Sequence, residues 1–174
     1  MIDEHRYDPD VEFEARFGRD TYNGFASGVS KMAFGALMKK LERSSCWDDV
    51  SHTSCDDVYV DDIRHVFVNG AYVESVKKER MAFECFGDVK ICASKETKVP
   101  RALGNACHKR SKHRKSFRNG CWRYDLTRTS SPSGDTYEVE IELCKNYLKY
   151  DSAHVAKSFA AKIRQLHDTI DRLP

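Results

Sequence analysis

Glu138, Glu140 and Glu142 alternate with Tyr137, Val139, Ile141 and Leu143 in a single stretch of chain. Successive side chains of an extended strand point to opposite faces, so the three carboxylates share one side and the apolar residues the other. Same-face neighbours stand roughly 7 Å apart, and at an effective dielectric of ~20 each adjacent pair repels by about 2 kcal/mol. Water disperses that repulsion on an open surface. An enclosed site needs something to offset it: a bound cation, facing arginines or partial protonation. Carboxylate oxygens are hard donors of the kind that Mg²⁺ and Mn²⁺ select.

Three other segments repeat the one-sided pattern. Val11-Glu12-Phe13-Glu14-Ala15-Arg16-Phe17 puts Glu12, Glu14 and Arg16 on one face. Arg110, Lys112 and Arg114 alternate within the basic run from His108 to Lys115, and Arg123, Asp125 and Thr127 interleave with Trp122, Tyr124 and Leu126. Two arrangements satisfy all four segments. With the charged faces outward, the apolar faces pack centrally as a sandwich. With the charged faces inward, they line a polar cavity whose apolar exterior needs a cover. That cavity would set acidic groups beside basic ones, the complement of a metal–polyphosphate complex.

The elements that must position these rows are mostly strands. Val58–Val68 and Tyr72–Phe83 read as a hairpin about Asn69-Gly70, a pair suited to a type I′ turn. Gly87-Asp88 turns into a strand over Val89–Glu96, and Thr97–Cys107, with Pro100 and Gly104, reads as loop. His108–Phe117, Trp122–Arg128 and Tyr137–Tyr147 follow, separated by turns at Asn119-Gly120 and Ser131–Gly134. Asn23-Gly24 and Gly28 mark loop. Ser30 caps a helix to about Arg43 with Phe34, Leu37, Met38 and Leu41 on one face, and Ser152–Leu173 forms a second, carrying Phe159, Ile163, Leu166 and Ile170. About seven strands with two or three helices predict an antiparallel barrel or sandwich buttressed by helices.

The 174 residues suffice for one domain, 1–174, with residues 1–10 polar and expected to fray. Basic and acidic residues nearly balance, 29 against 27, unlike the lopsided charge of a generic nucleic-acid binder. Local sorting of charge is therefore the feature to explain. Seven cysteines, without a C-x-x-C pair, predict reduced thiols and no zinc site. No apolar leader opens the chain and no run reaches membrane-spanning length, so an intracellular protein without membrane contact is expected.

These segments resemble, in order along nearly the whole chain, the triphosphate tunnel metalloenzymes, in the RNA triphosphatase branch of fungi, protozoa and large DNA viruses. Val11–Gly18 is similar to that branch's first glutamate motif and Tyr137–Leu143 to its last. Asp88–Glu96, the Arg-x-Lys-x-Arg of 110–114 with Ser116-Phe117, and Trp122–Thr127 resemble the intermediate strands, and Gly28–Leu41 the helix after the first strand.

The resemblance implies an α+β, mainly antiparallel fold: a closed tunnel of roughly eight strands with a polar interior, buttressed by helices. It implies a metal-dependent polynucleotide 5′-phosphatase of mRNA capping, taking 5′-triphosphate RNA to 5′-diphosphate RNA and phosphate, and acting on nucleoside triphosphates with Mn²⁺. Glu12, Glu14 and Glu142 would bind Mg²⁺ or Mn²⁺, and Glu138 and Glu140 would hold metal-bound water or the attacking water. Arg110, Lys112, Arg114 and Lys78 would grip the triphosphate, with Arg64, Arg80 and Arg123 also binding it. Arg16, Glu96, Asp125 and Thr127 would support these bases. Lys78 is preferred to Lys77 for its spacing from Met81, and the acid beside Arg64 could be Asp56, Asp57 or Asp62. The implied partners are the 5′ end of nascent RNA and an RNA guanylyltransferase, separate or fused. The implied location is the nucleus for a cellular eukaryotic protein, and host cell or virion for a viral one.

Other phosphatase chemistries lack their residues. No cysteine is followed six positions later by arginine, and no G-x-x-x-x-G-K-[ST] loop is present. Without a Lys-x-Asp-Gly motif, guanylyl transfer needs another domain or partner. Two rivals share part of the pattern. One is a tunnel enzyme for inorganic triphosphate or nucleotides; the other is a non-catalytic RNA-binding β-domain using 108–118, which would have no need of same-face glutamates.

Overall fold

The computed structural model describes residues 2–5, 7–22, 24–144, 147 and 150–171. In chain order the elements are α1 (Ile2–His5), β1 (Val11–Thr21), β2 (Gly24–Ser27), α2 (Lys31–Glu42), β3 (Asp49–Val60) and β4 (Ile63–Val68). They continue with β5 (Ala71–Phe86), β6 (Val89–Lys98), β7 (His108–Asn119), β8 (Trp122–Ser131), β9 (Gly134–Leu143) and α3 (Ser152–Asp171). All pairings are antiparallel, in the order β2-β1-β6-β5-β4-β3-β7-β8-β9. A further pairing of β1 with β9 closes eight of these strands into a barrel and leaves β2 as a short hairpin partner of β1.

The apolar rows face out and the charged rows face in. Val11, Phe13, Ala15 and Phe17 of β1 join Trp122, Tyr124 and Leu126 of β8 and Val139, Ile141 and Leu143 of β9 in one buried cluster. Leu37 and Leu41 of α2 and Val155, Phe159 and Leu166 of α3 complete that cluster from outside the barrel. The Trp122 ring stacks on Phe159 at 5.2 Å. Hydrophobic burial therefore lies between barrel wall and helices, the opposite of a sandwich core. Two amphipathic helices that could bury their stripes nowhere else settle which strand face looks outward.

Local chemistry explains most boundaries. Ser30 caps α2, its hydroxyl accepting from the Ala33 N–H at 3.1 Å. Asn69 and Gly70 both take positive φ, 51° and 78°, as a type I′ turn requires. The Val58–Val68 expectation is corrected: the stretch breaks at Asp61, whose φ of 53° is left-handed, into the ends of two strands. Aspartate tolerates that conformation, so a tight turn forms without glycine. Asp49–Asp57, which shows no apolar periodicity, is strand. The last strand ends at Leu143 rather than Tyr147. Of the expected segments, Met1, Arg6, Asn23, Lys145, Asn146 and residues 172–174 lie outside the described residues.

Candidate active site

Thirteen charged side chains from seven strands line one cavity of about 190 Å³ inside the barrel. They are Glu12, Glu14 and Arg16 of β1, Arg64 of β4, Lys78 of β5 and Glu96 of β6. Arg110, Lys112 and Arg114 of β7, Arg123 of β8, and Glu138, Glu140 and Glu142 of β9 complete the lining. The alternation of each strand delivers its row, and the β1–β9 pairing brings the first and last acidic rows together, Glu14 opposite Glu142 and Arg16 opposite Glu140.

Within the cavity the charges interlock. Lys78 Nζ reaches Glu12 at 3.3 Å, Glu14 at 3.4 Å and Glu96 at 3.1 Å. Arg16 bridges Glu14 at 3.0 Å and Glu140 at 3.1 Å. Arg114 donates to Thr127 Oγ1 at 2.9 Å, to Asp125 at 2.7 Å and to Glu140 at 3.0 Å. Arg123 donates to the same Asp125 oxygen at 3.1 Å and also pairs with Glu142. Asp125 and Thr127 are fully buried behind the cations they hold.

These surroundings move the carboxyls in opposite directions. Burial pushes Glu142 up to about 8, Arg123 opposing and Glu12 adding to the rise. Burial raises Glu12 and Glu138 too, with Glu96 and Glu140 respectively reinforcing the shift. Burial also acts on Glu140, yet Arg16 and Arg114 outweigh it and hold that carboxyl below its usual range. Lys78 and Arg64 likewise overcome burial at Glu96 and lower it. Lys112 is lowered by burial and then by its neighbour Arg114.

The acid beside Arg64 is a correction. Glu96, not Asp56, Asp57 or Asp62, takes the Arg64 guanidinium, at 3.0 Å. Asp57, 1% exposed, instead receives Arg110 at 3.2 Å and stands 3.5 Å from Lys112. Asp56 accepts from Ser111, and Asp62 pairs with Lys77 at 3.1 Å on the outer side. Sequence reading missed Asp57 as the base of the cation row, and it missed Tyr59, whose hydroxyl accepts from Arg110 at 3.0 Å. Their shared parity on β3 was the available signal, hidden because the expected strand began at Val58 and left Asp57 outside it. Lys78 points inward as its spacing suggested. Arg80 alone among the expected binding residues stands outside the central cavity, beside an adjoining mouth lined also by Phe25 and Lys90.

The arrangement suits a bound polyanion and a hard cation. Arg64 Nε is buried with no hydrogen-bond partner among the described residues, a donor left for an incoming oxygen. For a cation, Glu14 and Glu142 are directly paired across strands and Glu12 lies two residues along the same face. That all-oxygen set fits Mg²⁺ or Mn²⁺ chemically. As the side chains stand, Lys78 spans Glu12 and Glu14 while Arg123 takes Glu142, and no three potential ligands converge at metal distance among the described residues.

Residues 84–173 match the family described as mRNA capping enzyme, beta chain. Two solved structures share the fold. The Schizosaccharomyces pombe Pct1 RNA triphosphatase in complex with the Spt5 CTD superposes with a TM-score of 0.76 at 20% identity, over 91% of this chain and 86% of that one. A second structure of the S. pombe Pct1 RNA triphosphatase gives 0.75 at 21% identity, over 91% of this chain and 84% of that one. No curated protein matches the sequence.

Proposed function

This chain belongs to the mRNA capping enzyme beta-chain family, the mRNA triphosphatases, and from that premise we propose how its residues remove the γ-phosphate of 5′-triphosphate RNA. One observation carries the reading: the acidic rows of β1 and β9 meet the basic row of β7 across an enclosed polar cavity.

The reaction transfers a phosphoryl group to water, through a transition state whose charge spreads over the phosphoryl oxygens. Catalysis then rests on positioning and on fixed positive charge. Arg110, Lys112 and Arg114 present guanidinium, ammonium and guanidinium groups along one strand, with Arg64 and Lys78 facing them. Asp57 and Asp125 hold this set from behind, so the cations are oriented before the substrate arrives. Arg16 and Arg123 tie the two acidic rows to the same framework.

Glu12, Glu14 and Glu142 are the residues that would hold a divalent cation. When bound, Mg²⁺ or Mn²⁺ withdraws negative charge from the phosphate oxygens. Glu140 orients the attacking water. Its two oxygens accept one cation each and keep lone pairs free, and a loose transition state asks for orientation more than proton abstraction. Glu138 stands 3.7 Å from Arg110 and keeps that cation in place. The product, 5′-diphosphate RNA, is a substrate for guanylyl transfer by a separate or fused partner.

Release of labelled γ-phosphate from 5′-triphosphate RNA, assayed with and without divalent metal, tests the reading. Metal-dependent release is expected; its absence with Mg²⁺ and with Mn²⁺ sinks the proposed site.

A further inference from the structure

Gly18 continues the inward row of Glu12, Glu14 and Arg16 along β1, toward the end where β2 pairs back on it. A Cβ at Gly18 would lie 2.8 Å from the Phe25 ring and 2.2 Å from the Ala26 carbonyl oxygen. The ring is therefore seated over the tunnel's inner wall at this end, and only glycine leaves it that space. Lys90, opposite Arg16 in register, sets its ammonium 4.4 Å from the centre of the Phe83 ring and 5.9 Å from that of Phe25. The Arg80 guanidinium lies 5.4 Å from the Phe83 centroid. Among the described residues neither Lys90 nor Arg80 has a carboxylate partner in an ion pair, unlike the cations of the central cavity. Phe83 remains 51% exposed, so it is no part of the packed core.

We infer that Phe25, Phe83, Lys90 and Arg80 form a subsite for the first nucleosides of the RNA, where bases stack on the rings and the cations take the following phosphodiesters. The inference rests on the RNA triphosphatase reading above and adds what selects RNA over a bare triphosphate. Exposed aromatic faces interleaved with unneutralised cations are the composition that single-stranded nucleic acid uses, stacking without reading sequence. The distance suits it. Gly18 lies about 13 Å along β1 from Glu14 at 3.3 Å per residue, the length of an extended triphosphate with its first ribose. By register Glu142 pairs with Glu14, and Glu12 lies two residues farther from Gly18, so a γ-phosphate near the acidic group sends its nucleoside toward Phe25.

The test compares KM for a short 5′-triphosphate RNA with KM for inorganic tripolyphosphate, in the natural chain and in Phe25→Leu/Phe83→Leu. Leucine keeps apolar bulk over Gly18 while removing the stacking face. The RNA-to-tripolyphosphate ratio of KM is expected to rise about tenfold. Lys90→Gln, a surface change that spares the rings, should lower the slope of log affinity for RNA against log salt by about 0.7. An unchanged ratio together with an unchanged salt slope, in enzyme that still releases phosphate, overturns the subsite and leaves the triphosphatase reading standing. Failure of the natural chain on both substrates removes that reading and this inference with it.

Discussion

Glu14 and Glu142 stand directly opposite each other in the antiparallel pairing that closes the barrel. Two carboxyls at paired positions inside a cavity cannot both ionise cheaply. The structure resolves the conflict unevenly: Glu14 meets Lys78 and Arg16, while among the described residues Glu142 meets only Arg123 and is pushed up to about 8, chiefly by burial.

Metal-free protein should therefore carry a proton on Glu142 at neutral pH. Below the ordinary carboxyl range the group is protonated folded and unfolded alike. Between that range and about 8 the unfolded chain has released the proton and the folded one keeps it, so stability falls as pH rises, and the fall ends above about 8. Thermal melts from pH 5 to 9 should show Tm declining, by less in Glu142→Gln. Binding of Mg²⁺ or Mn²⁺ at pH 7 should release roughly one proton, read by calorimetry in buffers of different ionisation enthalpy.

Arg114 makes three separate contacts, to Thr127, Asp125 and Glu140. Lysine keeps the charge but loses the planar fork that serves them together. Arg114→Lys should lower kcat by about a hundredfold, the scale for removing one oriented donor, with little change in circular dichroism. Single-turnover phosphate release would measure it, and a loss confined to KM would count against a role in the transition state.

The rows on β1 and β9 were legible because Glu alternating strictly with Val, Phe, Ile and Leu fits the two-residue period of a strand and no helical period. Strand spacing alone left open which face turned inward; the family resemblance implied a polar interior, and α2 and α3 covering Phe13, Ile141 and Trp122 bear that out. β3 hid for a different reason. Among the described residues no helix covers its outer face, where Val50, His52 and Ser54 are exposed, and its inner face is polar as well, so neither side shows apolar periodicity. Partners such as Arg64 with Glu96 depend on how the barrel curves, which spacing along the chain does not encode.

Asp57, on that hidden strand, is the prediction with the largest expected cost to folding. Asp57→Asn leaves Arg110 and Lys112 without the buried carboxylate that compensates them. Breaking a buried pair from one side costs about 3 kcal/mol or more. Urea denaturation should show that loss, and saturating tripolyphosphate should recover part of it by supplying negative charge to the same cations. A variant as stable as the natural chain would mean that these cations are adequately solvated without Asp57.

Lys112 should set the alkaline limb of activity. Burial and the adjacent Arg114 hold its ammonium below the usual lysine range, so the free enzyme loses that charge at a pH where an exposed lysine keeps it. Since kcat/KM reports the free enzyme, it should fall as pH climbs through the lowered value, while kcat falls only at higher pH because bound phosphate favours the charged form. Lys112→Arg keeps its charge throughout and should shift the limb in kcat/KM upward, even if its maximum is lower. A pH profile with the same alkaline limb in both proteins would assign that limb to another group.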